Sequence, residues 1–130
     1  MTARRGSRVT EDVLRDLIML TEAGDPVAFA AMYDELVDEV DTLVRRQLRE
    51  PAQAPHVTSA VFLEVWRRAD GYRSGRGSVR TWVLTIAHRR AAERDHLVSP
   101  ETAALRDQHT ERALAALLAL ADTVQVTIRS

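Results

Sequence analysis

Cysteine is absent from this 130-residue chain, which excludes disulfides and thiolate metal sites. Lysine is absent as well, all 18 basic residues being arginine. A coding bias suffices to produce that, so it is not read as selection for guanidinium chemistry. No apolar run approaches the roughly 20 residues of a membrane span. The arginines near the amino terminus have no apolar stretch behind them, so no secretion signal and no membrane partner are expected, and the expected compartment is the cytoplasm. The four histidines, His56, His88, His96 and His109, are scattered without paired ligand spacing, so neither a metal nor another cofactor is expected. Internal repeats are lacking. Strand-like alternation is confined to the last residues, TVQVTIRS, which are too short and isolated to make a sheet. What remains is a chain with 45% hydrophobic residues, long enough for one domain with its own core.

The net charge of −1 conceals a segregation. Ten acids and one arginine, Arg15, lie between Thr10 and Thr42, whereas eleven arginines face five acids between Leu43 and His96. Such polarity implies two different partners, or an acidic part that covers the basic one. For any single charge the plainer reading is a solvated helix face.

Residues 1–9 are small, polar and basic, and read as a disordered arm. Thr10 with Glu11 and Asp12 is a helix start, acids lying near the positive end of the dipole. Val13, Leu14, Leu17, Ile18 and Thr21 keep helical spacing until Gly24. Asp25-Pro26 places a cap before proline at the first helical position. The clearest amphipathic stripe follows: Phe29, Met32, Tyr33, Leu36, Val37, Val40, Leu43, Val44 and Leu48. Opposite it lie Asp34, Glu35, Asp38, Glu39 and Asp41. A third helix is predicted from about Pro55 to Asp70, a fourth from about Val79 to Leu97, and a fifth from Ser99-Pro100-Glu101 onward, carrying the apolar residues of 104–121. These spans give an all-α bundle of four or five helices. Its expected core holds Phe29, Met32, Leu36, Val40, Val61, Phe62, Val65, Trp66, Trp82 and Ile86.

The stretch that organises the chain is VTSAVFLEVWRRADGYRSGRGSVRTWVLTIAHRRAAER, from Val57 to Arg94. Val57, Val61, Val65 and Ala69 recur every four residues beside Phe62 and Trp66, giving a core face. Gly71, Gly75 and Gly77 break the pattern, and Ser78 is placed to cap the next helix. That helix turns Trp82, Val83, Ile86 and Ala87 inward and leaves Arg80, His88, Arg89, Arg90 and Arg94 for other faces. A donor-rich loop feeding a basic helix that bears an aromatic suits a phosphate backbone and unstacked bases. Trp82 could stack on a base, but its spacing favours packing on the third helix.

The words VTSAVFLEVWRRADGY, Gly77-Ser78, TWVLTIAHRRAAER and, upstream, GDPVAFAAMYDELVDEV carry a resemblance over residues 24–95. They resemble the second domain (region 2) of extracytoplasmic-function sigma factors, the subunits that direct bacterial RNA polymerase to promoters. The resemblance implies docking of the third helix and the end of the second on the clamp helices of RNA polymerase core. The candidates for that contact are Asp38, Asp41, Arg45, Thr58, Ser59 and Glu64. It also implies that the loop and fourth helix read the melted −10 non-template strand of promoter DNA, holding a flipped base, through Arg73, Arg76, Ser78, Arg80, His88, Arg89, Arg90 and Arg94. An anti-sigma factor is a further implied partner.

The chain departs from the family pattern where Pro55-His56 and Ser59-Ala60 replace an acid-rich stretch followed by Gln-Glu. It departs again where Arg89 stands for the usual asparagine and Glu93 for the usual aspartate. Residues 98–122 read as an extra helix or a linker toward a missing −35-reading domain, and 123–130 as a tail. The final helix, without a domain after it, should pack back on the bundle or pair with another copy through residues 104–121, and pairing is the preferred expectation. The alternative function is accordingly a degenerate sigma-like module that binds a protein partner without directing transcription. Asp34, Glu35, Asp38 and Glu39 resemble a carboxylate cluster in spacing, but they lie opposite the apolar stripe, so no enzyme is expected.

Overall fold

The computed structural model of the chain describes residues 10–72, 77–96 and 100–129, with the side chains of Pro100 and of 126–129 left aside. Helix α1 spans Glu11–Glu22. It starts where the Thr10 hydroxyl accepts the Val13 amide at 3.3 Å, and it stops before Gly24, whose φ of +94° is left-handed backbone that favours glycine. Helix α2, Pro26–Gln47, is capped by Asp25, whose carboxylate accepts the amides of Val27 and Ala28. A 3-10 turn at Pro51–Gln53 leads into α3, Ala54–Arg67. The third helix ends earlier than its sequence period suggests. At Arg68 the backbone leaves the α region, and Ala69–Gly71 form a 3-10 turn that tucks Ala69 into the core.

Helix α4 runs Val79–Arg94 from its Ser78 cap, ending in the Asp95–His96 turn before the expected Leu97. Helix α5, Pro100–Arg129, is the longest. It continues through residues 123–129, where alternation suggested a strand-like tail. Extending an existing helix adds a hydrogen bond for each residue fixed, and three alternating apolar residues, Val124, Val126 and Ile128, are too few to outweigh that. Among the described residues there is no strand.

Helix α2 is the hub, packed against α1, α3, α4 and α5, while α3 also packs on α4 and α5. Its stripe is buried as the period dictates: Phe29, Met32, Leu36, Val40 and Val44 are inside, with Leu48 just past the helix end. Val61, Phe62 and Val65 of α3 and Val83, Ile86 and Ala87 of α4 meet them. Each such side chain contributes about 1.5–3 kcal/mol on leaving water. Trp66 and Trp82, expected in the core, are half-buried at its edge. Trp66 meets Phe29 edge-on at 5.4 Å between ring centres, and Tyr33 meets Phe62 at 4.9 Å. Trp82 turns its ring to Tyr72, beyond the end of α3, at 5.9 Å.

Of the apolar residues in α5, Leu114 and Ala121 are buried and Leu117 and Leu118 pack against the bundle, leaving Leu105 and Leu120 exposed. Packing back is therefore the outcome the structure shows for the middle of this helix.

Candidate nucleic-acid interface

The amino-terminal end of α4 is held from two sides. Gly77, with φ of +130°, turns the chain, and the Ser78 hydroxyl oxygen accepts the Thr81 amide at 3.0 Å. The Val79 amide is taken by Glu11, whose carboxylate reaches across from α1 at 2.6 Å. A carboxylate at this position also meets the positive end of the α4 dipole. The amides of Val79 and Thr81 are thus occupied within the chain and are not free to donate to a base. The Tyr72 hydroxyl donates to the Gly77 carbonyl at 2.8 Å, closing the loop across its neck. Arg73 and Arg76 lie outside the described residues.

The basic side chains of α4 point to acids of other helices. Arg80 is paired with Glu39 of α2 at 2.5 Å and lies 4.0 Å from Glu35, with only 22% of its side chain exposed. Arg90 donates through Nε to Glu64 of α3 at 2.7 Å, Arg89 donates to the other oxygen of the same carboxylate, and Arg68 reaches that second oxygen at 3.3 Å. Arg89 also touches Glu93 one turn on, at 3.5 Å. Arg94 is the most enclosed: it pairs with Asp107 of α5, each side chain 13% exposed, and donates to the Gln53 side-chain oxygen at 3.1 Å. It therefore acts as a tie between α4 and α5, where a stripe of phosphate-tracking arginines was expected. His88 is exposed, and its backbone carbonyl accepts from the Gln47 side chain at 3.0 Å.

Glu64 stands apart from the other candidates for a polymerase contact. Its side chain is 4% exposed, so it faces the arginines of α4 and is not presented to a partner. Burial alone would raise its pKa, but hydrogen bonds and charge from Arg90 and Arg89 outweigh burial and hold the carboxyl below its usual range. Burial lowers the Arg89 pKa, but the bond and charge of Glu64, with Glu93, override it and raise the value. The period of the α3 stripe gave no warning of this. Glu64 is the acid flanked by apolar residues on both sides in Val61-Phe62-Leu63-Glu64-Val65, and an acid in such a run is the available signal for a buried ion pair.

The remaining candidates gather where α2 meets α3. Asp41 accepts from Arg45 Nε at 2.7 Å and from the Thr58 hydroxyl at 3.2 Å. Thr58 is buried, Ser59 half-buried and Asp38 exposed. The acidic face of α2 makes itself felt at Tyr33, whose phenol is pushed up first by burial and then by Asp34, Asp41 and Asp38.

No group of three or more histidines and acids that could hold a metal exists among the described residues. The chain contains a Glu-x-x-His sequence, Glu93 to His96. Both residues are exposed at the end of α4, and Glu93 is engaged by Arg89. Nor is any described helix long and apolar enough to cross a membrane.

Residues 32–95, hence α2 from Met32 through α3 to the end of α4, match the family model for Sigma-70 region 2. The chain is 47% identical over 70 residues to the ECF RNA polymerase sigma factor SigK of Mycolicibacterium vanbaalenii, covering 54% of this chain and 36% of that protein. Against the protein of the same name from Mycobacterium tuberculosis it is 41% identical over 88 residues, 67% of this chain and 46% of the relative. Against that of Mycobacterium ulcerans it is 41% identical over 83 residues, 64% and 44%. The chain thus spans less than half the length of these relatives.

Proposed function

Residues 32–95 are a sigma-70 region 2 segment of the extracytoplasmic-function kind, and from that premise we propose that the chain acts in transcription initiation in the cytoplasm. In this reading the α2–α3 face with Asp38, Asp41, Arg45, Thr58 and Ser59 docks on the clamp helices of RNA polymerase core. The loop before α4 and the exposed side of α4 receive the melted −10 strand. The observation that carries the reading is that the matched segment coincides with α2, α3 and α4, the helices that build both faces. Tyr72 and Trp82, half-buried and ring to edge beside the Ser78 cap, offer an apolar wall for an unstacked base at the cost of partial exposure.

The test is co-purification with purified core RNA polymerase, with Asp41→Ala beside the wild type. Retention of the wild-type chain, weakened more than tenfold by the substitution, is expected, since truncating one partner of a charged contact costs about 2–5 kcal/mol when the contact is desolvated. No retention at low salt would remove the polymerase half of the reading.

A second reading has its own support. Arg80, Arg89, Arg90 and Arg94 are all paired with acids of the same chain, which lowers the charge available to DNA. That neutralisation favours a sigma-like module that binds a protein, an anti-sigma factor or a second copy. For a homodimer through residues 104–121, Leu105 and Leu120 are the large apolar side chains left on the outside. Sedimentation at two concentrations distinguishes the monomer from that dimer.

A further inference from the structure

The junction of α3, α4 and α5 encloses a recess of about 190 Å³. Arg67 and Arg68 enter it from the end of α3, Arg89 and Arg90 from the middle of α4, and Thr110 from α5, over a floor that includes Glu64. Three guanidinium groups, those of Arg68, Arg89 and Arg90, therefore hold one carboxylate, and Arg67 lines the recess beside them. Both Glu64 oxygens are engaged: Arg90 holds one, and Arg89 and Arg68 hold the other. Each guanidinium carries five N–H donors in a planar fork. Arg68 and Arg90 each give one of theirs to Glu64, and Arg89 gives one there and another to Glu93. Arg67 has no ion pair among the described residues. Among the described residues, most of the N–H donors of these four arginines therefore have no protein acceptor.

The sign of the field is set by the same arrangement. Burial by itself would favour the neutral form of Glu64, and the arginines reverse that. The arginines thus make the field at the Glu64 carboxyl favour its ionised form.

We propose that this recess is a binding site for a phosphate group, gripped by Arg67, Arg68, Arg89 and Arg90 with Thr110 at its rim. Arginine forks match the oxygens of phosphate in pairs, which a point charge cannot do. The size fits one phosphate and not a whole nucleotide, since pockets for drug-sized ligands measure about 300–1,000 Å³. The phosphate comes either from a nucleic-acid backbone or from free phosphate, and the recess chemistry is the same for both. The site does not depend on the sigma-factor reading: it would exist in a protein-binding module equally.

The experiment follows the arginine Nε–H resonances and the Thr110 amide of the full chain by NMR. Sodium phosphate is titrated in against sodium chloride at matched ionic strength. Saturable shifts confined to the recess, present with phosphate and absent with chloride, are expected. The double variant Arg67→Gln/Arg68→Gln, at two exposed positions, should keep the fold by circular dichroism and weaken the response at least tenfold. An unphosphorylated single-stranded oligonucleotide then separates the sources. If it competes for the same shifts, the recess takes a backbone phosphate; if it leaves them unchanged, the recess takes free phosphate. Identical responses to the two salts, or a response indifferent to the double variant, would overturn the proposal.

Discussion

Glu64 shows how a single side chain couples the basic helix to the fold. It is nearly enclosed, whereas Arg68, Arg89 and Arg90 have side chains 63%, 43% and 38% exposed. Breaking a fully buried pair costs about 3–5 kcal/mol. Here the arginines can swing back into water, so Glu64→Gln should cost less, about 1–2 kcal/mol in urea unfolding near neutral pH. The pH dependence has a defined sign. The folded carboxyl titrates below its unfolded value of about 4.3, so its contribution is fully present above that pH and is lost as pH falls through the lower folded value. Wild type and Glu64→Gln should therefore converge in stability on the acid side. A gap that stays constant from pH 7 down to pH 3 would show that the ionised form is not what stabilises.

Arg94 carries a different expectation from its neighbours. Because its pair with Asp107 is largely enclosed, Arg94→Ala should act on stability, by about 1–3 kcal/mol, and leave nucleic-acid binding almost unchanged. A double-mutant cycle with Asp107→Asn should show coupling, measured by thermal or urea unfolding. Additive losses would mean that the two side chains merely lie near one another.

At the level of elements, α5 reads as part of the fold. Leu114 sits in the core cluster with α2 and α3, and His56 of α3 meets Glu111 of α5. Leu114→Ala should cost about 2–3 kcal/mol, near the low end of buried leucine truncations because the residue lies at the margin of the core. Amide exchange along α5 should quicken together with that loss. Exchange unchanged in α5 despite global destabilisation would contradict its packing.

Helix boundaries with side-chain chemistry of their own were legible from sequence: Thr10, Asp25-Pro26 and Ser78 cap as their residue types dictate. The α2 stripe was legible for the same reason, since burial repeats with the helical period. What the period could not reveal was the partner of each charge. Sequence spacing placed Arg89, Arg90 and Arg94 on exposed faces of one helix, but their acids, Glu64 and Asp107, are 25, 26 and 13 residues away. The Glu11 bond to the Val79 amide spans 68 residues and had no local signal either. The Tyr72–Trp82 contact had no signal either, because glycine breaks the helical period between the two residues.

For the whole molecule, the segregation of charge resolves into an acidic α2 face and a basic α4 that is partly covered by that face and by α3 and α5. Internal pairing reduces but does not abolish the positive field: Glu64 alone meets Arg68, Arg89 and Arg90. The chain should bind nucleic acid weakly, prefer a single strand, and lose affinity steeply with salt. Pairing also sharpens the size of the effect. Two unpaired arginines would remove about one to two units from the slope of log affinity against log salt. With Glu64 already neutralising part of their charge, Arg89→Ala/Arg90→Ala should remove about one.

The most direct measurement is therefore a salt titration of a labelled single-stranded −10-like oligonucleotide bound by the chain in complex with core RNA polymerase. The wild type, Arg89→Ala/Arg90→Ala and, as a control, Arg4→Ala/Arg5→Ala in the amino-terminal arm would be compared. A slope shallower by about one unit in the α4 variant, and near the wild-type value in the arm variant, is the predicted result. Equal slopes for the wild type and the α4 variant would contradict a nucleic-acid role for α4 and leave its arginines as ties within the bundle.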